Sequence, residues 1–299
     1  MEYDMKARLL VLAILAALST SALAASGNTA TSTQTGNSNK VATTQVGSTN
    51  TAKVIQSGNL NKSTLTQTGD SNIANVTQSI GVAPAGLGNI STIGQSGGNN
   101  NTVDATQSGD TNAVTITQVG NTNASTSDQT GDTNTTTVSQ TGDTNTSTVT
   151  QTGSSDIASI TQTGNSDTAT ITQTAGNGNS ATISQTLGDN NLASITQTGI
   201  GNTSTITQTG SGNVANNTQL GDGNTSSITQ DGSLNAVNTT GGDILLVTQT
   251  GDSNTVADTD GHSLTVNQDG NLNTASLSGG SGVVSIAQTG NGNSATVVQ

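Results

Sequence analysis

From residue 28 onward the chain alternates apolar or amide-bearing positions with hydroxyl-bearing ones. In residues 167–173, Asp167, Ala169, Ile171 and Gln173 fall on one face, and Thr168, Thr170 and Thr172 on the other. A period of two with β-branched residues predicts a strand. A Gly with polar neighbours follows and predicts a tight turn. The same strand-and-turn unit recurs along the chain, about 25 strands by its spacing.

The 22 glutamines set the period: 34, 45, 56, 67, 78, 95, 107, 118, 129, 140, 151, 162, 173, 185, 197, 208, 219, 230, 249, 268, 288 and 299. Fourteen of their spacings are 11 and three are 12, so the unit is 11 residues long. Two residues after Gln stands the turn glycine: Gly36, Gly47, Gly58, Gly69, Gly109, Gly120, Gly131, Gly142. Five after it stands Asn39, Asn50, Asn61, Asn72, Asn112, Asn123, Asn145, Asn213 or Asn224, with Asp156 and Asp167 taking that place twice. In the 12-residue units the extra residue lies in the turn, and the amide moves to Asn101, Asn179 and Asn191.

One such unit cannot bury its inner face, so copies must stack. The fold class expected is all-β: a two-sheet β-solenoid of ~11-residue strand–turn units, about 22 residues per coil. About twelve coils at strand spacing rise roughly 60 Å. Stacking places Val54, Leu65, Val76, Ile116, Val138, Val149, Ile160, Ile171, Ile183, Ile195, Ile206 and Ile228 in apolar rows. Inward Gln34, Gln45, Gln56, Gln67, Gln107, Gln118, Gln140, Gln151, Gln162, Gln173, Gln208 and Gln219, with the Asn series, form a stacking ladder. Each amide there bonds to its copies one coil away, which avoids a cost of about 1–3 kcal/mol per unpaired buried amide.

Spacing also sets the organisation. Residues 25–78 and 95–230 are regular repeats. Residues 79–94 hold an irregular loop insertion, containing Pro84, and a strand. Residues 231–299 are variant repeats in which Gln spacing becomes 19, 19 and 20 before the final strand. Each long unit holds one strand ending at Gly241, Asp260 or Gly279 and another ending at Gln249, Gln268 or Gln288, so strand pairs are the true period.

Residues 1–24 break the pattern. Lys6 and Arg8 precede an apolar run over 9–18, then Ala22-Leu23-Ala24. This reads as a secretory signal peptide, too short to span a membrane. Met5 makes a better start than Met1, because Glu2 and Asp4 sit oddly in a basic leader, and the mature chain is expected from near Ala25. It would then hold no aromatic residue, three lysines (Lys40, Lys53, Lys62) and 16 aspartates.

Composition narrows the chemistry. There is no Cys, Phe or Trp and a single Pro, which excludes a disulfide framework, a Cys-ligated metal and an aromatic core. A net charge of −13 excludes a basic nucleic-acid groove. No cofactor, metal, nucleic acid or membrane insertion is expected. Turn aspartates Asp70, Asp110, Asp132, Asp143, Asp189, Asp222 and Asp252 read as turn chemistry and solubilising charge, ahead of a calcium roll. His262, with Asp260 and Ser263, reads as a surface residue rather than a catalytic one. Outward pairs such as Thr115/Thr117, Thr148/Thr150, Thr170/Thr172 and Thr205/Thr207 suit solvated strands. A T-x-T ice-binding face is the alternative, weakened by the presence of Thr rows on both sheets.

The segment Gln67-Thr68-Gly69-Asp70-Ser71-Asn72-Ile73-Ala74-Asn75-Val76-Thr77-Gln78 resembles the curlin repeat, the subunit motif of bacterial curli amyloid fibres. The likeness recurs from about residue 28 to 299. It implies a secreted, bacterial, cell-surface β-solenoid subunit that polymerises into extracellular fibres for biofilm matrix and adhesion. By the same resemblance its partners are copies of itself, a nucleator subunit and an outer-membrane secretion pore. The first strand, with Ser32 and Gln34, follows closely on the cleavage site, and the last holds Val297 and Gln299. Neither end is expected to be capped, so these positions are the expected fibre ends.

Overall fold

The computed structural model describes residues 27–80, 87–241, 244–259, 263–279 and 282–299. Residues 1–24, expected to be a signal peptide, and Pro84, Asp260 and His262 therefore lie outside the described residues. The described chain is a β-solenoid with 25 strands in two parallel sheets. Odd-numbered strands form a 13-stranded sheet, from β1 (Thr29–Thr35) through β3 (Thr51–Ser57) to β25 (Ser294–Val298). Even-numbered strands form a 12-stranded sheet, from β2 (Lys40–Val46) through β4 (Lys62–Thr68) to β24 (Val283–Thr289). Each coil adds one strand to each sheet.

Register is like on like. Within the odd sheet Gln34 pairs with Gln56 and Val54 with Val76. Within the even sheet Ile160 pairs with Ile183 and Gln162 with Gln185. A one-residue slip would turn the whole inner row to solvent, and this fixes the register. Between the sheets lies a single narrow core of Ile, Val, Leu and Ala. Leu65, Ile116, Ile160, Ile171, Ile183, Ile195, Ile206 and Ile228 are wholly buried, each worth about 1.5–3 kcal/mol. Outward strand positions such as Thr161 remain exposed.

Departures from regularity are local. β5 (Ile73–Ser79) completes a normal strand and Ile80 still stacks, its N–H donating to Ser57 C=O. The coil resumes at Leu87, leading into β6 (Ile90–Ser96), which pairs with β4 without a gap. The insertion over 79–94 thus leaves both sheets continuous. In the variant units β19 (Ala236–Thr240), β21 (Thr255–Asp258) and β23 (Thr274–Ser278) are shortened, and β21 ends two residues before Asp260. β11 (Thr146–Ser154) and β13 (Thr168–Asn177) are lengthened, with an irregularity after Gln151.

Candidate functional site: stacked amides and glycine turns

Alternation turns every strand glutamine inward, and the parallel register sets each over the next. In the odd sheet Gln34, Gln56, Gln78, Gln107, Gln129, Gln151, Gln173, Gln197 and Gln219 form one column, with Nε2 to Oε1 distances of 2.7–3.0 Å. In the even sheet the column runs unbroken through Gln45, Gln67, Gln95, Gln118, Gln140, Gln162, Gln185, Gln208, Gln230, Gln249, Gln268 and Gln288. In every pair of both columns Nε2 donates toward the C-terminal neighbour. The second Nε2 hydrogen crosses to the other sheet: Gln56 donates to Lys40 C=O at 3.1 Å, and Gln151 to Thr135 C=O at 3.1 Å. Glutamine therefore joins coil to coil and sheet to sheet at once.

The odd column stops at Gln219, because shortened β19 and its successors bring no glutamine to that level. Gln299 lies beyond β25, its N–H donating to Ser278 C=O. The register of β25 on β23 ends at Ser278 opposite Val298, and residue 279, next in β23's direction, is a glycine and not a glutamine, so Gln299 does not extend the odd column. Ser32 and Val297 occupy inward, half-buried positions on the outermost described strands of that sheet.

Asparagine works differently from the amide-to-amide pairing expected of it. Asn28 Oδ1 accepts the backbone N–H of Asn50 and Asn50 Oδ1 that of Asn72, both at 2.9 Å. The Nδ2 of Asn50 donates to Gly69 C=O at 2.7 Å, that of Asn112 to Gly131 and that of Asn145 to Gly164. Asn39, Asn123 and Asn213 bond the turn glycine above in the same way. Only a few side chains, such as Asn61 to Asn39 at 3.2 Å, also bond amide to amide. Asn61 faces Ile80 in place of a glycine; there Nδ2 takes Ser57 C=O. Asn224 takes Leu220 C=O. Each Asn is thus a peptide-mimicking clip between turns of successive coils.

The turn glycines bear this stacking. Gly36, Gly47, Gly58, Gly69, Gly109, Gly120, Gly131 and Gly142 have φ between 98° and 115°. A Cβ on Gly142 would fall onto the carbonyl oxygen of Gly164, so conformation and contact both demand glycine. Two residues on, a second left-handed residue closes the turn, at φ near 60°: Ser71, Thr111, Thr133, Thr144, Leu272. Sequence reasoning missed this slot; its signal is the glycine at Gly201, Gly212, Gly223 and Gly292 in other units. The turn aspartates form a third column. Asp70 Oδ1 accepts Ser48 N–H, Asp143 accepts Asn121 N–H, and Asp252 accepts Ser233 N–H. Among the described residues no three His, Cys, Asp or Glu side chains gather as a metal set.

Asp156 and Asp167 stand in the asparagine columns, wholly buried. Oδ1 of Asp156 accepts N–H and Nδ2–H from Asn179 at 2.9 and 3.2 Å; Oδ1 of Asp167 accepts the same pair from Asn191. Oδ2 of each is buried without a partner. Burial pushes both carboxyls above the ordinary value of 3.8, against the opposing pull of the Asn bonds. Asp189 adds to the rise at Asp167.

Fold and columns together define the class: a parallel, in-register β-solenoid of Gln/Asn-laddered repeats. The curlin associated repeat matches at residues 47–79, 98–126, 126–153, 155–186, 188–221 and 205–232, more than half of the chain, and the protein belongs to that family. Members of this family are structural subunits of extracellular fibres rather than enzymes. No curated protein matches the chain significantly.

Proposed function

We propose that this protein is a secreted structural subunit that stacks end to end into extracellular, curli-like amyloid fibres for biofilm matrix and adhesion. The observation that carries this reading is the sameness of successive cross-sections. Through the regular repeats each coil offers the next one the same row of backbone groups, Gln amides and Asn clips, and the even sheet carries that row on through the variant coils, so one chain can template another as one coil templates the next. Ser32 and Gln34 at one edge, and Val297 and Gln299 at the other, are the positions through which copies would meet. A nucleator subunit and an outer-membrane pore complete the reading as partners, with the leader at 1–24 directing export.

A second reading, an ice-binding or otherwise adhesive solenoid, draws on the even sheet. Its outward pairs include Thr64/Thr66, Thr115/Thr117, Thr137/Ser139 and Thr205/Thr207, a neutral hydroxyl surface. Electron microscopy of the exported protein separates the two. Long unbranched fibres with parallel cross-β diffraction are expected; monodisperse particles that stay soluble at high concentration would favour the second reading.

A further inference from the structure

We propose that Asp156 and Asp167 are proton-binding sites, carried as neutral acids in the folded solenoid, and that they make its middle coils a pH-sensitive joint. The geometry supplies the reason. In neighbouring coils Asn134 and Asn145 each donate Nδ2–H to the turn glycine above, at 3.0 and 2.9 Å. One coil on, the same slot holds Asp156 or Asp167 and no amide. The site that a Cβ of Gly153 would fill lies against Gly176 C=O and 3.0 Å from Asp156 Oδ2; Gly164 relates Gly188 C=O and Asp167 Oδ2 in the same manner. Two oxygens thus converge where a donor is required. A proton on Oδ2 supplies the missing donor in nearly the shape of the amide it replaces.

Both turns carry the mark of this exchange. Gly153 and Gly164 stand at φ of 149° and 148°, while Gly131 and Gly142 just below stand at 111° and 115°. No positive charge offsets an ionised carboxylate here; only the Asn179 and Asn191 bonds to Oδ1 oppose the rise. Beyond Lys62 the sequence contains no Lys or Arg. The charged groups around the pair are aspartates: Asp132 in the turn below Asp156, Asp143 in the turn below Asp167, and Asp189 in the turn above it. Desolvation favours the neutral form at both, and at Asp167 the charge of Asp189 adds to it.

The sign follows from linkage. A carboxyl whose folded value lies above 3.8 holds its proton more tightly folded than unfolded. Its stabilisation is complete below 3.8 and is lost as pH rises through the folded value. Chains carrying Asp156→Asn with Asp167→Asn are the control, because Asn fills this slot in most coils and restores a donor to Gly176 and Gly188. Two measurements apply: the denaturant midpoint from pH 3 to 8, and the infrared band of protonated carboxyls. The wild-type midpoint should fall with rising pH relative to the double variant, and the wild-type band should persist to higher pH than the band that the remaining aspartates give in the double variant. Parallel midpoint profiles, or a band that fades over the same pH range in wild type and double variant, would overturn the proposal.

Discussion

At the scale of the residue, the turn is where sequence choice is tightest. Gly142 meets two demands, a φ of 115° and a carbonyl oxygen where a side chain would begin. Gly142→Ala should cost about 3 kcal/mol, because strain and clash act together. The second left-handed slot is looser. Leu272 holds φ 60° while 65% exposed, so its side chain contributes little packing against the cost of its backbone. Leu272→Gly should stabilise by about 0.5–1 kcal/mol. Denaturant unfolding of the monomer reads both, and opposite signs are expected. Equal effects would mean that the two slots are conformationally equivalent.

At the scale of the strand, inward and outward positions should separate by several kcal/mol. Gln151 receives Nε2–H from Gln129 and Oγ1–H from Thr136, and donates to Gln173 and Thr135. Gln151→Leu strands partners above, below and across, costing about 3 kcal/mol. Ile160→Asp buries an unpaired charge in the apolar row and should cost more, about 4 kcal/mol. Thr161→Lys faces water and should stay within about 0.5 kcal/mol. Thermal or chemical unfolding ranks the three, and a Thr161 effect equal to the others would mean that the faces are misassigned. The strands and their pairing were legible in the sequence because alternation and an 11-residue period leave one solution: Ile160 must lie inside if Thr161 lies outside. The Gln column was legible for the same reason. The Asn clips, the crossing Gln bonds to residues such as Thr135 and the left-handed Thr133 were not. They depend on backbone direction in the turn, which side-chain periodicity does not encode. The loss of the odd Gln column after Gln219 is written in the 19-residue spacings, yet its meaning for Gln299 emerges only from pairing with β23.

At the scale of the whole solenoid, coils contact only their neighbours, so damage at one level stays local. Ser32→Asp with Val297→Asp places carboxylates on inward positions of β1 and β25. The folded monomer should keep its β-sheet circular dichroism. An arriving copy would have to bury charge, costing several kcal/mol and suppressing addition by orders of magnitude. Seeded elongation assays should show folded chains that neither elongate nor extend wild-type seeds. Growth at the wild-type rate would mean that copies do not join through these strands.

The common sense of the glutamine bonds gives the molecule an arrow. Side-chain oxygens point toward one tip and amide hydrogens toward the other along the whole even column, so the individual dipoles add, and each bond polarises the next. A transverse cut anywhere in that column leaves one surface rich in acceptors and one rich in donors. Two such bodies fit tip to tail, whereas an inverted arrival opposes oxygen to oxygen or hydrogen to hydrogen. A filament built this way is a vector: its tips are chemically unlike, they grow at different rates, and every fragment broken from it inherits the same heading.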